Sequence, residues 1–410
     1  MHDGDATWGD AAPELTTPPL LEDHSTARTA GIASRLAPLL TKILLGKGQD
    51  AVDELPIRVL AWDGSSVGPP GAPAFVLRHR RALRRLLWKP GETGLARAYV
   101  AGELDIEGDV LAALDAVQRV LRRGDEPIRL SGDDKRDIVR AAVVLGAVGP
   151  EPKPPPEEST RHRRTPLAEP TAFFTHLLGP GLAHGTAAWE RADDLNAAQS
   201  AAHSTVAERL GLFPGARLLD LDYGWGAFAR YATTHHDARV VALTRTPDQA
   251  LPGVEIRGFD LSEAGDEPYD AIVALAGTTS EASPTARLRE LLAPGGRLLL
   301  RQPTRRPGPP RTRRAFTTGR LLPDGGDPRP LGVLVDELAE AGLEVRGVEA
   351  LREQHARTLR AWAANLQRGW DECAELVGPG RARVWLLDLA ASALACENGR
   401  MGVHEILAIR

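Results

Sequence analysis

Apolar and polar positions follow two different patterns on the two sides of a proline-rich stretch. From about residue 171 onward, short apolar runs typical of buried strands alternate with segments whose apolar residues recur at helical spacing. Strands are predicted at 217–221, 239–243, 254–257, 270–275, 296–301, 343–349 and 403–409. Helices are predicted at 192–211, 226–235, 285–293, 332–341 and 355–370. This alternation favours an α/β fold with a parallel sheet and helices on both faces.

The earlier part of the chain predicts a small α+β domain over residues 29–149. It contains a helical pattern at 29–48, two strand-like runs at 56–79, a strand or short helix around 80–89, and a helix that ends at Gly102. Residues 1–28 are acidic and lack periodicity, which predicts a disordered tail. Residues 150–170 are proline-rich and charged, which predicts a stiff, solvated linker before a second domain at 171–410.

Composition narrows the function classes. The 410 residues are 42% hydrophobic and 26% charged, as in a globular protein of two domains. A net charge of −5 argues against a nucleic-acid partner. Cys373 and Cys396 are the only cysteines, and no Cys/His cluster has the spacing of metal ligands. The start lacks the features of a signal peptide, and no run of 18 apolar residues occurs, so a cytoplasmic location is predicted.

The stretch "RLLDLDYGWG" at 217–226 predicts a strand, a tight turn and a helix that begins at the turn. Glycine allows such a turn, because it adopts positive φ freely and lets a ligand approach the backbone. The helix N-terminus adds unpaired N–H groups, so this is a candidate nucleotide or nucleoside pocket at the carboxyl end of a strand. The candidate residues here are Asp220, Asp222, Gly224, Trp225 and Gly226.

Polar and aromatic residues also follow the next two predicted strands. Thr244, Thr246 and Gln249 follow the second strand, where hydroxyl and amide groups suit ribose hydroxyls. After the third strand, Phe259 suits an adenine face and Asp260 suits the exocyclic amine of that base. For Phe259, ordinary core packing is the alternative.

Four segments together resemble the cyclopropane-fatty-acyl-phospholipid synthase family. They are "LGLFPGARLLDLDYGWGAFARYA", "VVALTRTPDQ", "REQHARTLRAWAANLQ" and "GETGLARAYVAGELDIEGD". The end of the chain, "RARVWLLDLAASALACENGRMGVHEILAIR", is similar to the family's C-terminal hairpin. The resemblance implies a class I methyltransferase fold, with a seven-stranded mixed sheet whose edge pair is 343–349 and 403–409. It also implies S-adenosylmethionine as cofactor and the unsaturated acyl chains of phospholipids as substrate.

The cofactor motif departs from the family pattern at two positions. Asp222 stands where the family has glycine, and Tyr223 stands where it has cysteine. If the family's turn needs a positive φ at this point, Asp222 costs roughly 1–3 kcal/mol of strain. Weakened cofactor binding is therefore expected.

The chemical site departs further. Members of the family hold a bicarbonate that acts as base and line it with Cys, Glu, His and Tyr. The matching positions here are Thr186, Thr279 or Glu281, Arg301 and His355, so the bicarbonate site is expected to be lost. His355 and Glu281 are the candidate replacement bases. The alternatives are a backbone-bonded His355, a solvated Glu281, and an Arg301 that binds an anion.

Two arginine-rich segments suggest contact with a membrane surface. One is Arg161, Arg163 and Arg164 in the predicted linker, and the other is "RQPTRRPGPPRTRR" at 301–314. Solvated, flexible charge is one interpretation of both. Contact with anionic lipid headgroups at the inner face of the membrane is the other.

The sequence therefore supports three hypotheses. The first is an S-adenosylmethionine-dependent methyltransferase of unsaturated phospholipid acyl chains. The second is a catalytically impaired paralogue that binds lipid or a partner, as a homodimer or paired with an active relative. The third is methyl transfer to another small molecule, with Glu281 or His355 as base.

Overall fold

The structure is a computed structural model that describes residues 31–41, 53–89, 91–121, 132–158, 169–190, 192–244, 251–275, 285–308 and 328–410. Several predictions fall outside these residues: the tail 1–28, Arg161, Arg163, Arg164, Thr246, Gln249, Thr279, Glu281 and residues 309–314. Within the described residues, every helix is too short or too polar to span a bilayer.

Helices and strands have the following bounds. The helices are α1 Ile32–Leu40, α2 Arg81–Trp88, α3 Glu92–Val100, α4 Val110–Leu121, α5 Gly132–Val144, α6 Thr171–Leu178, α7 Leu195–Leu210, α8 Ala227–His236, α9 Thr285–Leu291, α10 Leu331–Glu340, α11 Arg352–Arg368, α12 Trp370–Val377 and α13 Pro379–Glu397. The strands are β1 Arg58–Leu60, β2 Ser66–Val67, β3 Ala74–Leu77, β4 Leu104–Glu107, β5 Arg217–Asp220, β6 Arg239–Thr244, β7 Val254–Gly258, β8 Tyr269–Ala274, β9 Leu292–Arg305, β10 Arg329–Pro330, β11 Glu344–Ala350 and β12 Gly402–Ile409.

The first part of the chain forms a four-stranded sheet in the order β2-β1-β3-β4. Only β1 and β3 pair in parallel, and the other neighbours are antiparallel. The segment that the sequence left open between strand and short helix is the helix α2. Ala82 is buried on its inner face, whereas Trp88 at its end is exposed.

The second part carries the large sheet, in the order β11-β12-β9-β8-β5-β6-β7, and β10 pairs with β9. The strands from β9 to β7 are parallel, whereas β12 is antiparallel to both of its neighbours. The predicted seven-stranded mixed sheet and its antiparallel edge pair are therefore confirmed. Because β5 lies between β6 and β8, the chain leaves it in the middle of the sheet, where an open α/β fold has its crevice.

One apolar core joins both parts of the chain. Buried residues of the first sheet, such as Phe75 and Tyr99, belong to the same cluster as Phe173 of α6, Trp362 of α11 and Trp385 of α13. Two separate clusters lie on the two faces of the large sheet. The predicted domain boundaries stay a prediction, but the two parts share a core.

One prediction about the connections was wrong, and one helix was not predicted. Residues 150–158 are not a solvated linker: Pro155 is buried, and Arg97 of α3 donates to both carboxylate oxygens of Glu158, at 2.5 and 2.8 Å. Buried arginines bind this segment and order it. The C-terminal segment begins with the 19-residue helix α13, which the sequence did not predict.

Candidate functional site

The turn after β5 has the geometry that the sequence predicts. Asp220 ends the strand and is buried, and its Oδ1 accepts a hydrogen bond from the Asp222 amide at 3.0 Å. Gly224 and Gly226 have φ values of 55° and 71°, and α8 begins directly after them without a side-chain cap. The first turn of α8 therefore faces the carboxyl ends of the central strands.

The two glycines of this turn have different surroundings. A Cβ on Gly226 would lie 2.5 Å from Leu251 Cδ1 and 2.7 Å from the ring of Tyr223. Among the described residues, a Cβ on Gly224 would have only the Asp222 carbonyl oxygen near it, at 3.8 Å. Packing requires the glycine at 226, whereas the space beside Gly224 is open to a ligand.

This difference gives a first testable prediction. Gly226→Ala is expected to lower the free energy of unfolding by about 2–4 kcal/mol, because backbone strain and overpacking add. Gly224→Ala, the matched control, is expected to cost only the strain of about 1–2 kcal/mol. Urea denaturation of both variants measures the difference, and equal losses would contradict the packing argument.

Asp222 does not carry the strain that the sequence suggested. The described non-glycine residues with positive φ are Leu182 and Asp237, so Asp222 occupies ordinary backbone space. The strain account of this position was wrong. Asp222 acts instead on its neighbour: burial raises the pKa of Asp220 to about 7, the Asp222 amide opposes this shift, and the Asp222 carboxylate adds to it.

The remaining candidates for cofactor binding are placed as follows. Trp225 is buried against Phe174 of α6, with ring centroids 4.4 Å apart. Thr244 is buried at the end of β6, and Phe259 is half-buried after β7. The Asp260 side chain accepts from the Ser262 amide at 2.8 Å and from its hydroxyl at 2.6 Å, which lowers the Asp260 pKa. Their roles toward a nucleoside stay predictions.

A small polar cavity lies beside this turn. Its walls come from the segment after α6, from α7 and from the ends of β8 and β9. The lining residues are Ala183, His184, Gly185, Thr186, Ala187, Gln199, Ala202, His203, Leu275 and Arg301. The ring of His184 lies 6.4 Å from that of Trp225, so the cavity and the turn are neighbours.

Three residues that the sequence singled out as altered converge at this cavity. Thr186 Oγ1 lies 2.9 Å from His355 Nδ1, and Arg301 donates to the Thr186 carbonyl at 2.9 Å. They come from the segment after α6, from α11 and from β9. The fourth predicted position, Thr279 or Glu281, lies outside the described residues.

Arg301 is not an open anion-binding site. Its Nε donates to Glu405 Oε2 at 2.5 Å, and both side chains are almost fully buried. Arg209 pairs with the other oxygen of Glu405 and with Glu349 at the surface. The guanidinium therefore already holds a carboxylate of this chain, and residues 301–305 belong to β9 rather than to a loop. Contact of the 301–314 segment with headgroups stays a prediction.

His184 and His203 line the cavity, His355 contacts its wall at Thr186, and all three imidazoles are neutral at pH 7. Burial lowers the pKa of His184 to about 4. Burial and the positive charge of Arg301 lower the pKa of His203 to about 4, with Arg230 adding to the effect. Burial, helped by His184 and Arg301, lowers the pKa of His355 to about 4. Neutral imidazoles can accept protons, so the arrangement is suited to base chemistry.

The segment that forms one wall of the cavity is fixed by side chains from two helices. Gln199 of α7 donates to the carbonyls of Leu178 and Ala183, both at 3.0 Å. The Thr358 hydroxyl of α11 accepts from the Ala187 amide at 3.1 Å and from Trp189 Nε1 at 3.0 Å. The cavity is thus preorganised, as a reaction site requires.

The comparisons with known proteins agree with this geometry. The sequence model described as mycolic acid cyclopropane synthetase matches residues 169–406, more than half of the chain. The chain belongs to this family. The predicted recognition is thereby confirmed.

Individual relatives cover different shares of the chain. A probable fatty acid methyltransferase of Mycobacterium tuberculosis is 29% identical over 396 residues, which are 88% of this chain and 92% of that protein. The cyclopropane mycolic acid synthase MmaA2 of the same organism is 33% identical over 226 residues, which are 48% of this chain and 78% of that protein.

Solved structures show the same fold. The structure of MmaA2 superposes with a TM-score of 0.53 and 26% identity, covering 58% of this chain and 93% of that one. The cyclopropane synthase CmaA1, in complex with SAH and CTAB, gives a TM-score of 0.53 and 25% identity, covering 59% and 94%. The fold is that of the class I S-adenosylmethionine-dependent methyltransferases.

Sequence analysis missed several residues of the candidate site. His184, Gln199, His203 and Glu405 were not among the candidates. A signal for two of them was present: Ala198, Ala202 and Val206 mark the buried face of α7, and positions 199 and 203 lie beside that stripe. Glu405 gave no such signal, because its partner Arg301 is 104 residues away.

The neutral histidines predict loss of stability in acid. The unfolded pKa of histidine is about 6.5, so between pH 6.5 and 4 the unfolded chain binds protons that the folded chain does not. Stability is therefore complete above pH 6.5 and falls as the pH falls toward 4. Each of the three imidazoles contributes up to about 1.4 kcal/mol per pH unit, and the opposite shift of Asp220 offsets about one of them. Urea denaturation between pH 7 and pH 5 measures the slope.

The variant His203→Gln is the control for this prediction. It removes one of the histidines with a lowered pKa. The slope of the unfolding free energy against pH should therefore decrease by the equivalent of about one proton. Equal stability at pH 7 and pH 5 would contradict the assignment.

Proposed function

We propose that this protein transfers a methyl group from S-adenosylmethionine to the unsaturated acyl chains of phospholipids. One observation carries the proposal: the polar, histidine-lined cavity lies directly beside the turn after β5, with His184 and Trp225 in ring contact. The printed names of the relatives, fatty acid methyltransferase and cyclopropane mycolic acid synthase, support transfer to an acyl chain.

The turn fits the proposed cofactor. The space beside Gly224 is open, the N-terminus of α8 has no side-chain cap, and Asp220 lies at the strand end below them. Thr244 and Asp260 lie at the ends of the two following strands. S-adenosylmethionine bound at this turn supplies an electrophilic methyl group.

His355 is the proposed proton acceptor. Methylation of a double bond leaves a cation, and a ring or methylene product requires that a base removes a proton from it. The proposal requires the tautomer in which His355 Nδ1 donates to Thr186 Oγ1, so that Nε2 accepts. Although the pKa of His355 is low, His355 can accept this proton, because a carbon cation is a far stronger acid than an imidazolium. Arg301 and Thr358 hold Thr186 and its segment in place for this step.

No step is assigned to a bound bicarbonate. The Thr186 hydroxyl is bonded to His355, and the Arg301 guanidinium is bonded to Glu405. Each of these groups is bonded to another side chain of this protein, so together they do not form an open anion site.

Calorimetric titration with S-adenosylmethionine is the first test. We expect binding to the wild-type protein and at least about tenfold weaker binding to Gly224→Ala, whose Cβ enters the open space beside the turn. Absence of binding at millimolar cofactor would reject both enzyme hypotheses. Incubation with vesicles of an unsaturated phospholipid, followed by mass spectrometry of the acyl chains, then identifies the product.

The second candidate is a catalytically impaired paralogue that binds lipid or a partner. The pairing of Arg301 with Glu405, and the departures from the family pattern at Thr186 and His355, favour this candidate. Cofactor binding without any modified acyl chain would support this candidate over the first.

A further inference from the structure

Arg80, directly before helix α2, and Arg84 and Trp88 within it are spaced four residues apart. They form a stripe that runs beside the segment after α5. Arg84 donates to the carbonyls of Ala147 and Val148, both at 3.1 Å, and Trp88 Nε1 donates to the carbonyl of Gly149 at 3.0 Å. The two elements are therefore locked side by side.

Large apolar side chains are exposed on these neighbouring elements. Trp88, Val139, Val143, Val144 and Val148 each expose between 50% and 61% of their surface. We call them the α2–α5 patch. Val139 and Val143 are one turn apart on α5, and the Arg84 and Trp88 bonds place Val148 against the stripe of α2. Large apolar residues that cluster in this way mark an interaction surface.

The charge on the α2 side of the patch is positive, whereas acids and bases balance on α5. Residues 78–89 hold six cations and no acid, although the whole chain carries a net charge of −5. Arg78, Arg81 and Arg85 are paired with carboxylates. Among the described residues, no carboxylate forms an ion pair with Arg80 or Arg84, which belong to the stripe that ends at Trp88. Arg80 is thus available to an anionic partner, whereas Arg84 is bonded to the carbonyls of Ala147 and Val148 and adds only its uncompensated charge.

We propose that the α2–α5 patch docks the protein on an anionic phospholipid bilayer. Tryptophan favours the membrane–water interface, and valines enter the boundary between headgroups and acyl chains. Arg80 reaches the lipid phosphates, and the charge of Arg84 beside it adds to the attraction. The site lies outside residues 169–406 and outside the two arginine-rich segments that the sequence suggested. Docking does not depend on the proposed methyl transfer.

Sedimentation with vesicles, in the absence of S-adenosylmethionine, tests the proposal. The wild-type protein should bind vesicles of equal parts phosphatidylcholine and phosphatidylglycerol, and bind vesicles of phosphatidylcholine alone weakly. The double variant Val143→Glu/Val148→Glu should bind the anionic vesicles at least about tenfold more weakly. Arg80→Gln, which removes one charge, should weaken binding about fivefold and reduce its dependence on salt.

The matched control is Val333→Glu/Val348→Glu, which alters two valines that are 43% and 44% exposed on the other part of the chain. It should bind like the wild type. Wild-type binding that ignores lipid charge, or equal binding by the patch variant, would overturn the proposal. A wild-type dimer that the patch variant converts to a monomer would assign the patch to a second copy of the chain, and would also overturn it.

Discussion

Replacing Glu405 by glutamine is expected to lower the free energy of unfolding by about 3–5 kcal/mol. The carboxylate is 2% exposed and is shared by Arg301 and Arg209. Its neutral variant leaves Arg301 charged and without a carboxylate inside the protein, and that uncompensated charge is the source of the cost. Urea denaturation measures the effect, provided that the dependence of the unfolding free energy on urea concentration is the same in both proteins.

The matched control is Glu349→Gln at the outer end of the same network. Glu349 is 41% exposed and binds only Arg209 among the described residues, so its loss should cost less than about 1 kcal/mol. The double variant Arg301→Met/Glu405→Leu should recover most of the stability, since it removes both charges. A Glu405→Gln variant as stable as the wild type would show that the buried pair is not held as described.

Replacing His355 by glutamine is expected to reduce turnover by about 10²–10⁴-fold, the contribution of a positioned base. Glutamine keeps the polarity of the position but accepts no proton. The affinity for S-adenosylmethionine should stay unchanged, because the His355 side chain bonds to Thr186 rather than to a residue of the turn after β5. Product formation with unsaturated phospholipid vesicles gives the rate, and calorimetry gives the affinity.

His404→Gln is a close control for this variant. His404 Nδ1 lies 2.7 Å from the Thr304 hydroxyl, as His355 Nδ1 lies 2.9 Å from that of Thr186, but His404 is away from the cavity. It should retain full turnover. A variant His203→Gln that loses turnover while His355→Gln retains it would transfer the role of base to His203.

The sequence predicted the strands of the large sheet well and the connecting segments poorly. Strands such as 217–221 and 403–409 were predictable because buried strands have continuous apolar runs and turn residues at their ends. The helix α13 was missed because it is buried nearly all round, so its apolar residues show no helical period. The order of residues 150–158 was unpredictable because it depends on Arg85 and Arg97, more than 60 residues earlier.

The candidate site was predictable in part for a similar reason. The turn after β5 is local, so its glycines are visible in one short stretch. The meeting of Thr186, Arg301 and His355 could be anticipated only by resemblance, since no local pattern joins them. Asp222 shows the opposite error: a departure from a motif suggested strain, but the backbone there adopts an ordinary conformation.

The core shared by the two parts of the chain has a consequence for how the protein holds together. The family match begins at residue 169. Phe173 and Trp385, which lie within the match, nevertheless pack in the same cluster as Tyr99, which lies before it. Arg383 of α13 also pairs with Asp105 of β4. A fragment cut at the family boundary would expose this face to water, so the two parts should melt in one cooperative transition. Any contact made by the α2–α5 patch would thereby act on the stability of the whole chain.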